Sequence, residues 1–195
     1  MDINPKETEI KKLAVVFPGV GYHKDKPVLY YSRKLAMEEG YEIKEIAYTG
    51  LPKNIRGNKE LMKQAFYEAL EQSRELLKDI KWEEYEEILF IMKSVGTVVG
   101  AVYAKEEGIN PRMLIYTPVK ETFDALGPDC RGIVFSGTSD SWADTEDIKA
   151  GCGMHNLPLH LLKDANHSLE LGYALADIQY LHEVMRLSRE FIRAK

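Results

Sequence analysis

Short apolar runs alternate along the chain with longer stretches whose apolar positions recur at helical spacing. The runs are residues 13–17 (LAVVF), 88–92 (ILFIM), 112–117 (RMLIYT), 131–136 (RGIVFS) and 158–162 (PLHLL), with a more alternating segment at 41–47. Runs of this length, rich in β-branched residues, predict strands buried on both faces. Between them, residues 25–39 place Val28, Leu29, Ser32, Leu35 and Ala36 on one helical face, and residues 59–79 do the same with Leu61, Ala65, Phe66, Ala69, Leu70, Leu76 and Leu77. Further helices are predicted over 97–107, 145–150 and 171–193. Gly40 and Gly108 stand where helices end, and Gly151 and Gly153 read as breakers. Residues 1–12 read as a mobile lead-in, 48–58 as a loop, and 117–129 as a loop with one helical turn. Strand and helix in regular alternation predict an α/β fold. The expectation is a three-layer α/β/α sandwich with an open, mostly parallel sheet of about six strands, formed by residues 1–195 as one domain.

In such a sheet, sites form beyond the carboxyl ends of the strands. Three reactive residues fall there. Ser94 follows the 88–92 run within Lys93-Ser94-Val95-Gly96, and a small-residue helix begins at once. A serine at such a corner stands over the end of the sheet, beside helix N–H groups able to stabilise an oxyanion. Asp140 closes the turn Gly137-Thr138-Ser139-Asp140, and His167 lies in Ala165-Asn166-His167-Ser168. These are the parts of an activated nucleophile: a hydroxyl, an imidazole to take its proton, and a carboxylate to orient the imidazole. Each also has a purely structural reading. Ser94 could cap its helix, and Asp140 could serve the turn. Asp124 is a rival acid. His155, in a Gly-rich loop, and His160, inside a strand where packing is the simpler role, are rival bases. His23 and His182 read as a loop residue and a helix-surface residue.

Charge and composition narrow the function classes. The net charge is −5, and no basic stripe with interleaved aromatics is present, which argues against nucleic acid as a partner. No apolar run approaches the roughly 18 residues of a membrane helix. Residues 1–12 are polar, unlike a signal peptide, and Cys130 and Cys152 show no ligand spacing. Two free thiols in a reducing, cytoplasmic setting are expected, with no metal and no cofactor. Gly19 and Gly21 follow the first strand, but Lys24 occupies the place of a dinucleotide fingerprint's third glycine.

Four segments together, Phe17-Pro18-Gly19-Val20-Gly21, Lys93-Ser94-Val95-Gly96, Gly137-Thr138-Ser139-Asp140 and Ala165-Asn166-His167-Ser168, resemble the α/β-hydrolase family. The likeness is to its small, lidless esterase and dienelactone-hydrolase-like members and covers about residues 13–193. It implies a minimal sheet without the family's two antiparallel leading strands. It also implies a Ser94–His167–Asp140 triad, with the backbone N–H groups of Val95 and Val20 as oxyanion hole; Gly21 or Tyr22 would replace Val20 if the loop is shifted. The chain departs from the pattern at Met92, where the elbow usually has its first glycine, and at Pro18, where a His-Gly pair usually has its histidine. Gly21, Tyr22 and Trp142 are candidate pocket residues, and the segments 48–58 and 142–155 are expected to shape the site. The 117–131 connection is too short for a lid domain. The implied substrate is a small ester, thioester or similar acyl compound. The other reading is a binding or scaffold protein that keeps the fold without the activity, with the three residues splayed or plugged. A homodimer through the last helix or the 41–47 strand is compatible with either.

Overall fold

The computed structural model describes residues 10–194. The elements, in order, are β1 (Lys12–Phe17), α1 (Pro27–Glu38), β2 (Glu42–Glu45), α2 (Lys59–Leu77), β3 (Glu87–Lys93), α3 (Val95–Glu107), β4 (Arg112–Tyr116), α4 (Glu121–Ala125), β5 (Arg131–Gly137), α5 (Thr145–Met154), β6 (Leu159–Leu162) and α6 (Ala174–Arg193). The six strands form one sheet in the order β2-β1-β3-β4-β5-β6, and every neighbouring pair is parallel. Parallel neighbours require a crossover, and a helix supplies it each time.

Strand periodicity divides the core into two layers. Leu13, Val15 and Phe17 of β1 face one side with Phe90 and Met92, under α2, α3, α4 and α5. Ala14 and Val16 face the other with Leu89 and Ile91, under α1 and α6. On that second side, the buried Tyr116 hydroxyl bonds Ser32 of α1 (2.8 Å) and Ser188 of α6 (2.7 Å). The serine at 32, read from spacing as part of an apolar face, is thus a buried polar anchor. Among the described residues no helix is long and apolar enough to cross a membrane.

Several boundaries differ from the sequence expectations. Positions 1–9 of the expected lead-in lie outside the described residues. Lys12 already belongs to β1, and the Lys11 carbonyl accepts the Glu86 N–H (3.0 Å). The sheet's pairing extends to residues whose polarity hid them. Leu76 is 40% exposed, and Ser73 takes its place on the buried face of α2, its hydroxyl satisfied by the Ala69 carbonyl. Gly151 and Gly153 do not break α5, which runs through both to Met154. A Cβ at Gly151 would overlap the Phe123 ring, so glycine is what lets α5 pack against α4. The expected connection between β4 and β5 holds only the five-residue α4.

The tightest approach in the fold is between α3 and β1. A Cβ on Gly96 would overlap the Phe17 carbonyl oxygen and stand 2.5 Å from that of Pro18. Backbone cannot yield as a side chain can. Gly96→Ala is expected to lower stability by about 3 kcal/mol, read as the midpoint of urea unfolding. Gly127→Ala, where an added Cβ meets nothing within 4 Å, is the control, with a change of at most about 0.5 kcal/mol.

Candidate active site

The carboxyl ends of β1, β3, β5 and β6 carry the loops that build the site. Ser94 sits between β3 and α3 with φ 55° and ψ −125°, a conformation rare for a residue with a Cβ. Its N–H is tied to the Tyr116 carbonyl (3.0 Å), and its own carbonyl accepts from Thr97 N (2.9 Å). The side chain makes no capping bond, which disposes of the N-cap reading. Its Oγ lies instead 2.7 Å from His167 Nε2.

The loops after β5 and β6 hold each other. Ser139 N donates to the Ala165 carbonyl (3.0 Å), and Asp164 N donates to Thr138 Oγ1 (2.7 Å). The contact is so close that a Cβ on Gly137 would overlap the Ala165 backbone. Asn166 closes the His167 turn, its Oδ1 accepting from Ser168 N (2.7 Å) and Glu170 N (3.2 Å). Asp140, with a fully buried side chain, presents one carboxylate oxygen to His167 Nδ1 (2.8 Å) and the other to Trp142 N (2.8 Å). The Trp142 ring stacks on the His167 imidazole at 5.1 Å. Serine, imidazole and carboxylate therefore form one hydrogen-bonded chain, in the order the sequence predicts.

The rivals lie elsewhere. Asp124 is exposed on α4, and the ring Nε2 of His155 contacts the Phe123 carbonyl (2.8 Å). His160 stacks on Phe135 (5.3 Å), His23 is exposed with its Nδ1 accepting from Asp25 N (3.3 Å), and His182 lies on the exposed surface of α6.

Burial holds His167 below the ordinary imidazole range; its bond to Asp140 opposes this, and the positive charges of Lys93 and Arg56 reinforce it. Lys93 is the residue sequence reasoning passed over. Its side chain is wholly buried directly before Ser94. The ammonium donates to the His167 carbonyl (2.6 Å) and to Thr117 Oγ1, and lies 4.7 Å from the Tyr22 ring centroid. Burial pushes its amine down to about 7, against the pull of Asp140 and Glu170. The signal was available: a lysine closing a strand buried on both faces has no route to solvent.

At the β1 loop, the Gly19 N–H is used by the Tyr22 carbonyl (3.2 Å), whereas Val20 N–H makes no hydrogen bond among the described residues. The position a Cβ would take on Gly19 is 3.0 Å from Ser94 Cβ, so this loop borders the serine. Val95, at the first position of α3, has an N–H that the helix leaves free. A cavity of about 850 Å³ adjoins this corner, lined by Gly19, Val20, Gly21, residues 46–48 and 50–56, and Trp142. Tyr22, expected at the rim, is 8% exposed and packs inward instead, its hydroxyl accepting from Val28 N (3.3 Å). Of the 142–155 segment, only Trp142 reaches the cavity. A separate apolar cleft of about 420 Å³ begins at Val95 and includes Met62, Phe66 and Val119.

No family model matches the chain, and no curated protein matches it. Solved structures do. The chain is similar to an alpha-beta serine hydrolase homologue from Coxiella burnetii (TM-score 0.67, 15% identity, 94% of this chain and 86% of that one). It is similar to Est1E from Butyrivibrio proteoclasticus, solved with ferulic acid bound (TM-score 0.69, 12% identity, 98% and 92% covered). A serine hydrolase without a lid from Xanthomonas campestris is a third (TM-score 0.60, 12% identity, 97% and 87% covered). At these identities the likeness is one of architecture. The chain has the α/β-hydrolase fold, in a form whose sheet comprises six parallel strands.

An imidazole held down by burial and by a neighbouring cation has a testable titration. By NMR, His167 is expected to protonate below the ordinary imidazole pKa of about 6.5. Lys93→Met removes a cation that disfavours the imidazolium, so the His167 midpoint should move up. A midpoint unmoved or lowered in Lys93→Met would mean that the lysine does not act on His167.

Proposed function

We propose that the protein is a serine hydrolase acting on an ester, thioester or related acyl compound. The observation that carries this reading is the continuous chain from Ser94 Oγ through His167 to Asp140, at 2.7 and 2.8 Å, on a serine held at positive φ. With His167 neutral and its Nδ1 proton donated to Asp140, Nε2 is free to take the Ser94 proton. The Ser94 oxygen then attacks the acyl carbon, and the carbonyl oxygen becomes an oxyanion facing the N–H groups of Val95 and Val20. The imidazolium returns its proton to the departing alcohol or thiol as the bond to the acyl carbon breaks. An acyl group remains on Ser94. Water, losing a proton to His167, attacks this acyl-enzyme; the Ser94–acyl bond breaks, the acid leaves, and Ser94 regains its proton.

Lys93 has a supporting part in this scheme. Its bond to the His167 carbonyl fixes the base loop, and its charge offsets the buried Asp140 carboxylate. The site is open: a lid large enough to enclose long acyl chains has no room in the α4 connection. The reading as an inactive scaffold predicts a splayed or plugged constellation, and the distances count against it. Met92 gives it little support, because a Cβ on Gly100 would overlap the Met92 sulfur: α3 leaves room for the larger side chain.

A fluorophosphonate probe is expected to label the native protein and not Ser94→Ala, with p-nitrophenyl acetate turnover lost in parallel. Absence of both labelling and turnover in folded native protein would overturn the hydrolase reading. Asp140→Asn should lower kcat by about 10⁴-fold while leaving the fold intact, since it strips His167 of the partner that sets its tautomer. The native kcat/KM should rise with pH through a midpoint below about 6.5, because the base must be neutral to work.

A further inference from the structure

The large cavity beside Ser94 has a charge pattern that acyl transfer does not require. Besides the Tyr48 phenol, five residues of acidic or basic type line it: His23, Lys24, Asp25, Lys53 and Arg56. Three of them neutralise one another or are drawn off. Lys24 pairs with Glu45 (2.8 Å) and Asp25 (3.3 Å), and His23 Nδ1 lies 3.8 Å from Asp25. Lys53 and Arg56 have no carboxylate within 4.0 Å among the described residues. In a chain of net charge −5, where Lys24 on the same wall is already paired, Lys53 and Arg56 form an unneutralised positive spot in the cavity.

The two cations are held there by the fold. Ile55, between them in sequence, is 2% exposed and part of the core under α2. On either side of it the loop is pinned: Thr49 exchanges two 2.8 Å hydrogen bonds with Gln72, and Asn58 caps α2 through Leu61 N (3.1 Å). Tyr48 adds a bond from its hydroxyl to Ser73 (3.1 Å). With Ile55 buried, Lys53 and Arg56 on either side of it are exposed and line the cavity. Arg56 lines the same cavity as Trp142, whose ring stacks on His167, and its charge adds slightly to the lowering of the His167 pKa. The α2 N-terminus is already occupied by the Asn58 side chain, so the anion-binding capacity here is that of the two side chains.

We propose that Lys53 and Arg56 recognise a carboxylate carried by the substrate away from the bond that is cleaved. The inference rests on the hydrolase reading and gives it a substrate class: esters or thioesters bearing one free carboxylate. A substrate whose carbonyl lies at Ser94 can send one arm along Val20 and Trp142 into this cavity. The cleft at Val95 is lined by Lys59, Lys63 and Glu121 as well as by Met62, Phe66, Val98 and Val119, and these four apolar side chains would take the uncharged arm. A planar guanidinium pairs with a carboxylate through two parallel hydrogen bonds, and a lysine beside it adds charge without demanding geometry.

The test uses two substrate pairs, because the carboxylate can belong to either side of the scissile bond. Monophenyl glutarate against phenyl pentanoate places it on the acyl side. 4-Acetoxybenzoate against 4-methylphenyl acetate places it on the leaving-group side. For each pair, the ratio of kcat/KM, charged over neutral, is measured in the native protein and in Lys53→Gln/Arg56→Gln; intrinsic reactivity cancels between the two proteins. One pair is expected to lose roughly tenfold of its ratio in the double variant. The same ratio should fall with rising salt in the native protein, a measurement that needs no variant. Lys34→Gln, a cation outside the cavity lining, should leave both ratios alone. Ratios equal in native and double-variant protein, and insensitive to salt, would overturn the carboxylate inference while neutral-ester turnover left the hydrolase reading standing. If neither neutral nor charged esters react, both fall together.

Discussion

The distance between the start of α3 and the end of β1 governs the rest of the structure. Gly96 lets the helix backbone lie against the Phe17 and Pro18 carbonyls, with no side chain between. This contact fixes where α3 begins, and only one residue separates the end of β3 from the start of α3. Ser94 absorbs the change of direction and takes positive φ as a result, at an intrinsic cost of about 1–3 kcal/mol. The surrounding bonds to Tyr116 and Thr97 sustain it. The loop after β1 also borders the serine, the position of a Cβ on Gly19 lying 3.0 Å from Ser94 Cβ. One packing constraint thus fixes the corner on which the hydroxyl stands.

The polar side of the site follows a parallel logic. Asp140 is a fully buried carboxylate, and burial of a lone charge is costly. Its environment answers with directed groups: the Trp142 N–H, the His167 ring and, at longer range, the Lys93 ammonium. Lys93 is equally dependent on its neighbours, two oxygen acceptors and the face of Tyr22. Among the described residues no buried side-chain polar atom lacks a partner. Such a network is stiff because each member would be penalised for leaving it.

Much of this was legible in the sequence, and what was not had local reasons. Apolar runs at regular intervals specified the parallel sheet, since strands buried on both faces leave little ambiguity. Ser94, Asp140 and His167 were legible because each falls just after a strand, where this architecture builds sites. The length of α5 was not, because a glycine's helix-breaking tendency is local while the packing of Gly151 on Phe123 is tertiary. The burial of Tyr22 was hidden for a similar reason: its ring meets Lys93, a residue far along the chain, while its hydroxyl accepts from the nearby Val28 N–H. Lys93 itself was hidden by the habit of assigning charged residues to the surface. Leu76 shows the converse, an apolar residue left exposed where a serine with a backbone partner serves the interior.

Met92 and Gly100 draw together two positions that a linear motif treats as unrelated. Where a glycine before the nucleophile would leave space at the turn, the chain puts a methionine, and the empty volume reappears at Gly100, inside α3. The vacancy has been transferred across the interface rather than abolished. The two positions are therefore sterically coupled: a larger residue at 100 requires a smaller one at 92. The elbow keeps its shape by trading volume between strand and helix.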